Sequence, residues 1–144
     1  FILQWHVIAM FAPSFFTGGL IKRFGVLKIL NVGAALMFVC IAIALSGITL
    51  MHFWWALVLL GIGWNFLFIG GTTLLTETYR SEERAKVQGS NDFIVLGVQG
   101  VTSLSSGVLV TSTGWATLNH YALPIVAVTA LATTLFWIHR KTAH

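Results

Sequence analysis

The sequence predicts an all-α membrane protein with five transmembrane helices, an incomplete bundle rather than a closed one. Two observations carry this. The 144 residues are 57% hydrophobic and only 8% charged, with a mean hydropathy of +0.89, whereas soluble domains carry about 25% charged residues. The apolar residues also form runs of membrane-spanning length without strand alternation, so helices rather than barrel strands satisfy the backbone in lipid.

The expected spans are Phe1–Ile21, Val26–Leu45, Trp54–Thr76, Val87–Val110 and Tyr121–Ile138, here spans a to e. Span a carries Gln4 and His6 near one end, Pro13 near its middle, and Ser14 and Thr17 beyond. Pro13 removes a backbone bond to Ala9 and is expected to kink the helix. Span b holds little polarity beyond Asn31 and Ser46, and span e only scattered threonines whose hydroxyls can bond their own backbone; both are expected to face lipid. Pro124 falls in the first turn of span e, where proline is tolerated. Span c contains GIGWNF (Gly61–Phe66) at mid-depth, followed by Gly70, Gly71, Thr72 and Thr73. Span d is the most polar, with Gln88, Asn91, Asp92, Gln99, Ser103 and Ser106 among its side chains. A helix this polar cannot face lipid all round.

All eight Lys and Arg residues fall on one side of a five-span threading: Lys22, Arg23 and Lys28 at the a–b turn, Arg80, Arg84 and Lys86 at the c–d turn, Arg140 and Lys141 after span e. The loops on the other side, Ser46–Phe53 and Thr111–Asn119, have none. The positive-inside rule then places Phe1 outside and His144 in the cytoplasm of a multi-pass inner-membrane protein. Because the cations serve topology, nucleic-acid binding has no support. His139–His144 is expected to be a solvated tail. Cys40 lies in an apolar run and forms no metal-ligand spacing with histidine; no metal or cofactor is expected. No nucleophile–base or carboxylate pair appears at membrane depth, so the chain is not expected to be an enzyme.

SFFTGGLIKRFGV (Ser14–Val26) aligns with SLSSGVLVTSTGW (Ser103–Trp115) through the pattern S-x-x-[ST]-G-x-L-[IV]-x-x-x-G. The two copies cross the membrane in opposite senses, as in transporters built from inverted repeats. If the unit is three helices, c–d–e is one unit and a–b the remainder of another, whose first helix is missing before Phe1. The chain begins without methionine or a signal-peptide pattern, and is expected to be part of something longer.

GGLIKRFGVLK (Gly18–Lys28) resembles the loop motif of the major facilitator superfamily, G-x-x-x-D-R-x-G-R-R, at Gly18, Arg23 and Gly25, with Lys22 in place of the acidic residue. SEERAKVQG (Ser81–Gly89) resembles the later loop P-x-x-x-R-x-x-x-x-G at Arg84 and Gly89, with Ser81 in place of proline. Spans a to e are similar to family helices 8–12, in the C-terminal half. The resemblance implies a secondary transporter that moves a small solute by alternating access, with the N-terminal half as partner. It implies that span c lines the central path and span d flanks it.

Trp64 and Asn65 are therefore the expected solute contacts, an indole face beside an amide. The alternative is that Asn65 bonds a neighbouring helix and Trp64 fills space. Gln99 is a second path residue. His6 is a candidate for proton coupling, against an interfacial histidine. Gly18, Lys22, Arg23 and Gly25 form a tight turn or a gate element whose cations meet Glu77 or Asp92. Asp92 pairs with Arg84 or Arg23 on the gate reading. A five-span scaffold or subunit without transport is the other reading of the same hydropathy.

Overall fold

The computed structural model describes residues 1–142, and every regular element among them is helical. Span a is two helices, α1 (Ile2–Phe11) and α2 (Ser14–Phe24). The last backbone bond of α1 runs from Ala12 N–H to Ile8 at 2.8 Å, and α2 opens with Phe16 and Thr17 N–H both donating to the Pro13 carbonyl at 2.8 Å. Ala12 and Pro13 keep right-handed helical angles. The chain thus crosses the break in one direction, and the expected kink is an interrupted hydrogen-bond ladder.

Four longer helices follow: α3 (Val26–Ser46), α4 (Leu50–Leu75), α5 (Arg84–Thr113, entered through a 3-10 turn at Ser81–Glu83) and α6 (Trp115–Thr142). Each is long and apolar enough to cross a membrane. Helix α6 begins at Trp115 instead of Tyr121, because the polar stretch after Val110 is helix on both sides of Gly114 rather than loop. Pro124 consequently lies inside α6 and not in its first turn.

The two copies of the internal pattern end alike. Gly25 has φ 89° and Gly114 φ 86°, the two positive-φ residues among those described. Each caps its helix, Gly25 N–H donating to Ile21 at 2.8 Å and Gly114 N–H to Val110 at 3.1 Å. Each is followed at once by the next helix, α3 or α6. A left-handed residue between two helices without further linker is a place for glycine, and it falls on the last position of the shared pattern in both copies.

Helix α3 leaves Val32, Phe38, Val39 and Leu45 exposed and buries much of the rest of its surface. It holds most of the buried apolar side chains, including Leu27, Leu30, Ala34 and Ile41, and packs on α2, α4 and α6. Close approach to α4 comes from small residues. A Cβ on Gly33 would lie 3.1 Å from Phe66 Cβ and 3.2 Å from the Gly63 carbonyl, and one on Gly63 would lie 3.2 Å from the Gly33 carbonyl. Polar links add to this. Asn31 Oδ1 accepts from Thr134 at 2.7 Å and Thr133 at 3.1 Å, and Trp115 Nε1 donates to the Ala44 carbonyl at 3.0 Å, tying α6 to α3 at two depths. The threonines of span e are therefore not confined to their own backbone, and Trp115 anchors α6 to α3. Helix α5 is the opposite case. It has no buried residue and rests mainly on α6.

Candidate functional site

Asn65 sits where α4 crosses the Pro13 break and is 1% exposed. Its Nδ2 donates to the Met10 carbonyl and to Ser14 Oγ, each at 2.6 Å, while Oδ1 lies 2.7 Å from the Thr17 hydroxyl. The single Thr17 proton is also within reach of the Pro13 carbonyl at 2.8 Å. The proline explains the arrangement. In an unbroken helix the Met10 carbonyl would accept from Ser14 N–H; here it takes an amide proton from the neighbouring helix. Both donors and the acceptor of Asn65 are thus used by protein. The structure places it in an interhelical clamp rather than on an open surface.

His6 is half-buried, with Nδ1 2.7 Å from the Leu57 carbonyl. A carbonyl only accepts, so Nδ1 carries the proton in this contact. Gly61 permits the approach: a Cβ there would lie 2.7 Å from the His6 carbonyl and 2.8 Å from Ala9 Cβ. His6 and Asn65 thus join α1 and α2 to α4, one on each side of Gly61.

Three of the remaining expected residues come together. A cleft of about 440 Å³ separates α1 and α4 from α5, and Trp64, Gln99 and Asp92 all line it, with Phe11 and Phe68. The Trp64 ring lies flat on Phe68, centroids 4.8 Å apart and planes 7° apart, and Phe11 meets it edge-on at 6.4 Å. The α4 wall is therefore an aromatic platform, and the α5 wall offers an amide and a carboxylate. Asp92 and Gln99 are exposed, and Asp92 has a long contact of 3.4 Å with the Asn91 amide. Among the described residues Asp92 is within ion-pair distance of no cation, so the pairs with Arg84 or Arg23 are not formed.

The expected contact between the a–b turn and Glu77 is also not formed. Glu77 instead pairs with Arg140, the one ion pair among the described residues. Helix α6 runs on to Thr142, beyond the end of span e, and delivers Arg140 to the end of α4. What was expected as a solvated tail is ordered helix as far as Thr142; Ala143 and His144 lie outside the described residues. Lys22 is exposed, a Cβ on Gly18 would meet open space, and Arg23 lies 5.3 Å above the Phe24 ring.

Sequence reasoning did not single out Phe68, Phe11 or Arg140. Phe68 stands four residues after Trp64, the spacing at which helical side chains meet, and that signal was available. The positions of Phe11 and Arg140 depend on tertiary packing and left no local trace.

The Major Facilitator Superfamily model matches residues 2–144. The riboflavin transporter RfnT of Brucella anthropi is 53% identical over 125 residues, covering 87% of this chain and 31% of that protein. The uncharacterised MFS-type transporter YdeG of Bacillus subtilis is 31% identical over 120 residues, 82% of this chain and 28% of that protein. YddS of the same organism, also an uncharacterised MFS-type transporter, is 31% identical over 136 residues, with 87% and 31% covered. The chain thus spans less than a third of the length of these relatives. No solved structure matches it significantly.

Proposed function

Since this chain belongs to the major facilitator superfamily, we propose that it supplies helices 8–12 of a secondary transporter, and that the full-length protein moves its solute by alternating access. On this reading the cleft between α4 and α5 faces the passage, and protein outside this chain completes it. The bare surface of α5 supports that. In the first copy of the internal pattern, Ser14 and Thr17 are held by Asn65. Their counterparts Ser103 and Ser106 meet no such residue among those described, and the Ser106 hydroxyl falls back on the Ser103 carbonyl. The segregation of Lys and Arg supports a location in the inner membrane with Phe1 outside and the α6 end cytoplasmic.

The solute we propose is riboflavin or a close heteroaromatic relative. The observation that carries this is that the stacked Trp64–Phe68 pair and Gln99 line the same cleft. A flavin ring is flat, with hydrogen-bonding groups along one edge. An aromatic face suits its plane, and a primary amide suits that edge. The likeness to RfnT points to the same solute. Asp92, the carboxylate on the cleft, is the group we assign to carry a coupled proton. Glu77 and Arg140 join α4 to α6 within one bundle, and serve its rigidity rather than a gate.

The test is uptake of labelled riboflavin by a riboflavin auxotroph expressing the full-length transporter. Trp64→Ala and Gln99→Ala are each expected to lower kcat/KM by about three- to ten-fold, the worth of one stacking contact or one hydrogen bond, and Trp64→Phe to keep most of it. Wild-type kinetics in both alanine variants would remove the site. Absence of riboflavin uptake by the wild type would remove the solute.

A further inference from the structure

Where α2 turns into α3, a cavity of about 240 Å³ opens against the last turns of α6. Lys28 lines it from α3, Arg140 and Lys141 line it from α6, and Phe24 and Trp137 supply aromatic walls; among the described residues no acidic side chain lines it. Three cations from two helices thus converge on one recess. Their neighbours hold two of them in place. The Arg140 guanidinium lies 5.0 Å from the Phe136 ring, and the Lys141 ammonium 6.0 Å from the Trp137 ring. Glu77 occupies Nη2 of Arg140, but a guanidinium has five N–H donors and the others stay free. Lys28 has no ion-pair partner among the described residues and is exposed.

The depth of this recess is set by the helices. Helix α3 has 21 residues, about 31 Å at 1.5 Å per residue, which matches a hydrocarbon core of about 30 Å. Val26 then stands at the edge of the core, and Lys28 can extend to the phosphate layer. Tryptophan is favoured at the same level. The recess therefore meets lipid headgroups and not bulk water alone.

We propose that this cavity is a binding site for the phosphodiester of an acidic phospholipid, held by Lys28, Lys141 and the free edge of Arg140. A phosphodiester brings one negative charge and two non-bridging oxygens, which the ammonium groups and the guanidinium can share. Free phosphate has the same chemistry, but it lacks the acyl chains that bring a lipid headgroup to this depth. The proposal needs only that α3 and α6 span the membrane, and it stands apart from the identity of the solute.

The experiment uses the full-length transporter, extracted in mild detergent and analysed by native mass spectrometry after exchange into phosphatidylglycerol or phosphatidylcholine. The wild type is expected to retain phosphatidylglycerol in preference to phosphatidylcholine. Lys28→Gln and Lys141→Gln are each expected to weaken that retention by about five-fold, the worth of one cation at a membrane surface. Lys28→Arg and Lys141→Arg should preserve it, which separates lost charge from lost fold, and Lys86→Gln, a cation outside the cavity, should leave it unchanged. Equal retention by the wild type and both glutamine variants would overturn the proposal. So would displacement of the lipid by inorganic phosphate at comparable concentration, which would make the cavity a site for a free anion.

Discussion

Asn65→Leu in the full-length transporter is expected to lower stability by about 2–3 kcal/mol while leaving solute affinity unchanged in the protein that remains folded. The reasoning begins at Pro13, which interrupts the ladder between α1 and α2. The freed Met10 carbonyl takes its proton from Asn65 Nδ2 at 2.6 Å, and the same amide meets Ser14 and Thr17. Leucine keeps the number and branching of the side-chain heavy atoms and removes all of these bonds. The two hydroxyls can fall back on their own helix, as Thr17 already does with Pro13 at 2.8 Å. The Met10 carbonyl loses its amide donor. A buried unsatisfied group costs about 1–3 kcal/mol, and interhelical bonds in a membrane add about 0.6 kcal/mol each on average. Thermal or denaturant unfolding in detergent measures the loss, and solute binding at low temperature measures the rest. A large drop in affinity with unchanged stability would return Asn65 to the passage.

Gly61→Ala is the second large effect, and its sign is decided by backbone. Alanine is the better helix former by about 1 kcal/mol, so a free position would gain. At Gly61 the added Cβ would stand 2.7 Å from the His6 carbonyl, 2.8 Å from Ala9 Cβ and 3.0 Å from the Met10 nitrogen. None of these is the tip of a side chain that can swing aside, so α1 must move away from α4. Overpacking of this kind costs about 1–3 kcal/mol. The movement also loosens the 2.7 Å contact between His6 and Leu57 and disturbs the Asn65 clamp one turn further on. Gly71→Ala is the control, since nothing lies within 4 Å of its added Cβ; it should be neutral or stabilising. Unfolding midpoints of the two variants moving in the same direction would contradict this account of α1–α4 packing.

Much of this was legible in the sequence because its causes are local. Pro13 marks the break in span a, and Gly25 and Gly114 end the shared pattern in both copies with the same left-handed turn. The hydrophobic runs fall on the four long helices. What remained hidden depends on partners. An apolar side chain that faces lipid and one that packs on another helix look the same in a hydropathy pattern, so the buried Leu27, Leu30 and Ile41 of α3 could not be told from its exposed Val32 and Val39. Asn65 was conspicuous as an amide in an apolar helix, but its role came from a carbonyl freed 55 residues away. Glu77 met Arg140 instead of the a–b turn because α6 extends past Ile138. Trp64, Gln99 and Asp92 share a cleft because their polarity, unlike apolar character, has few uses inside a membrane.

The central claim is that the α4–α5 cleft is wet and the clamp beneath it is dry. Single cysteines at positions 65 and 99 of the full-length transporter, with Cys40 and any other native cysteine replaced, test it most directly. A membrane-impermeant thiol reagent applied to membranes from either side should modify position 99 in at least one transport state, with protection by the solute, and should leave position 65 untouched in all of them. Reaction at position 65 equal to that at 99, or a position 99 sealed in every state of an active transporter, would contradict the account.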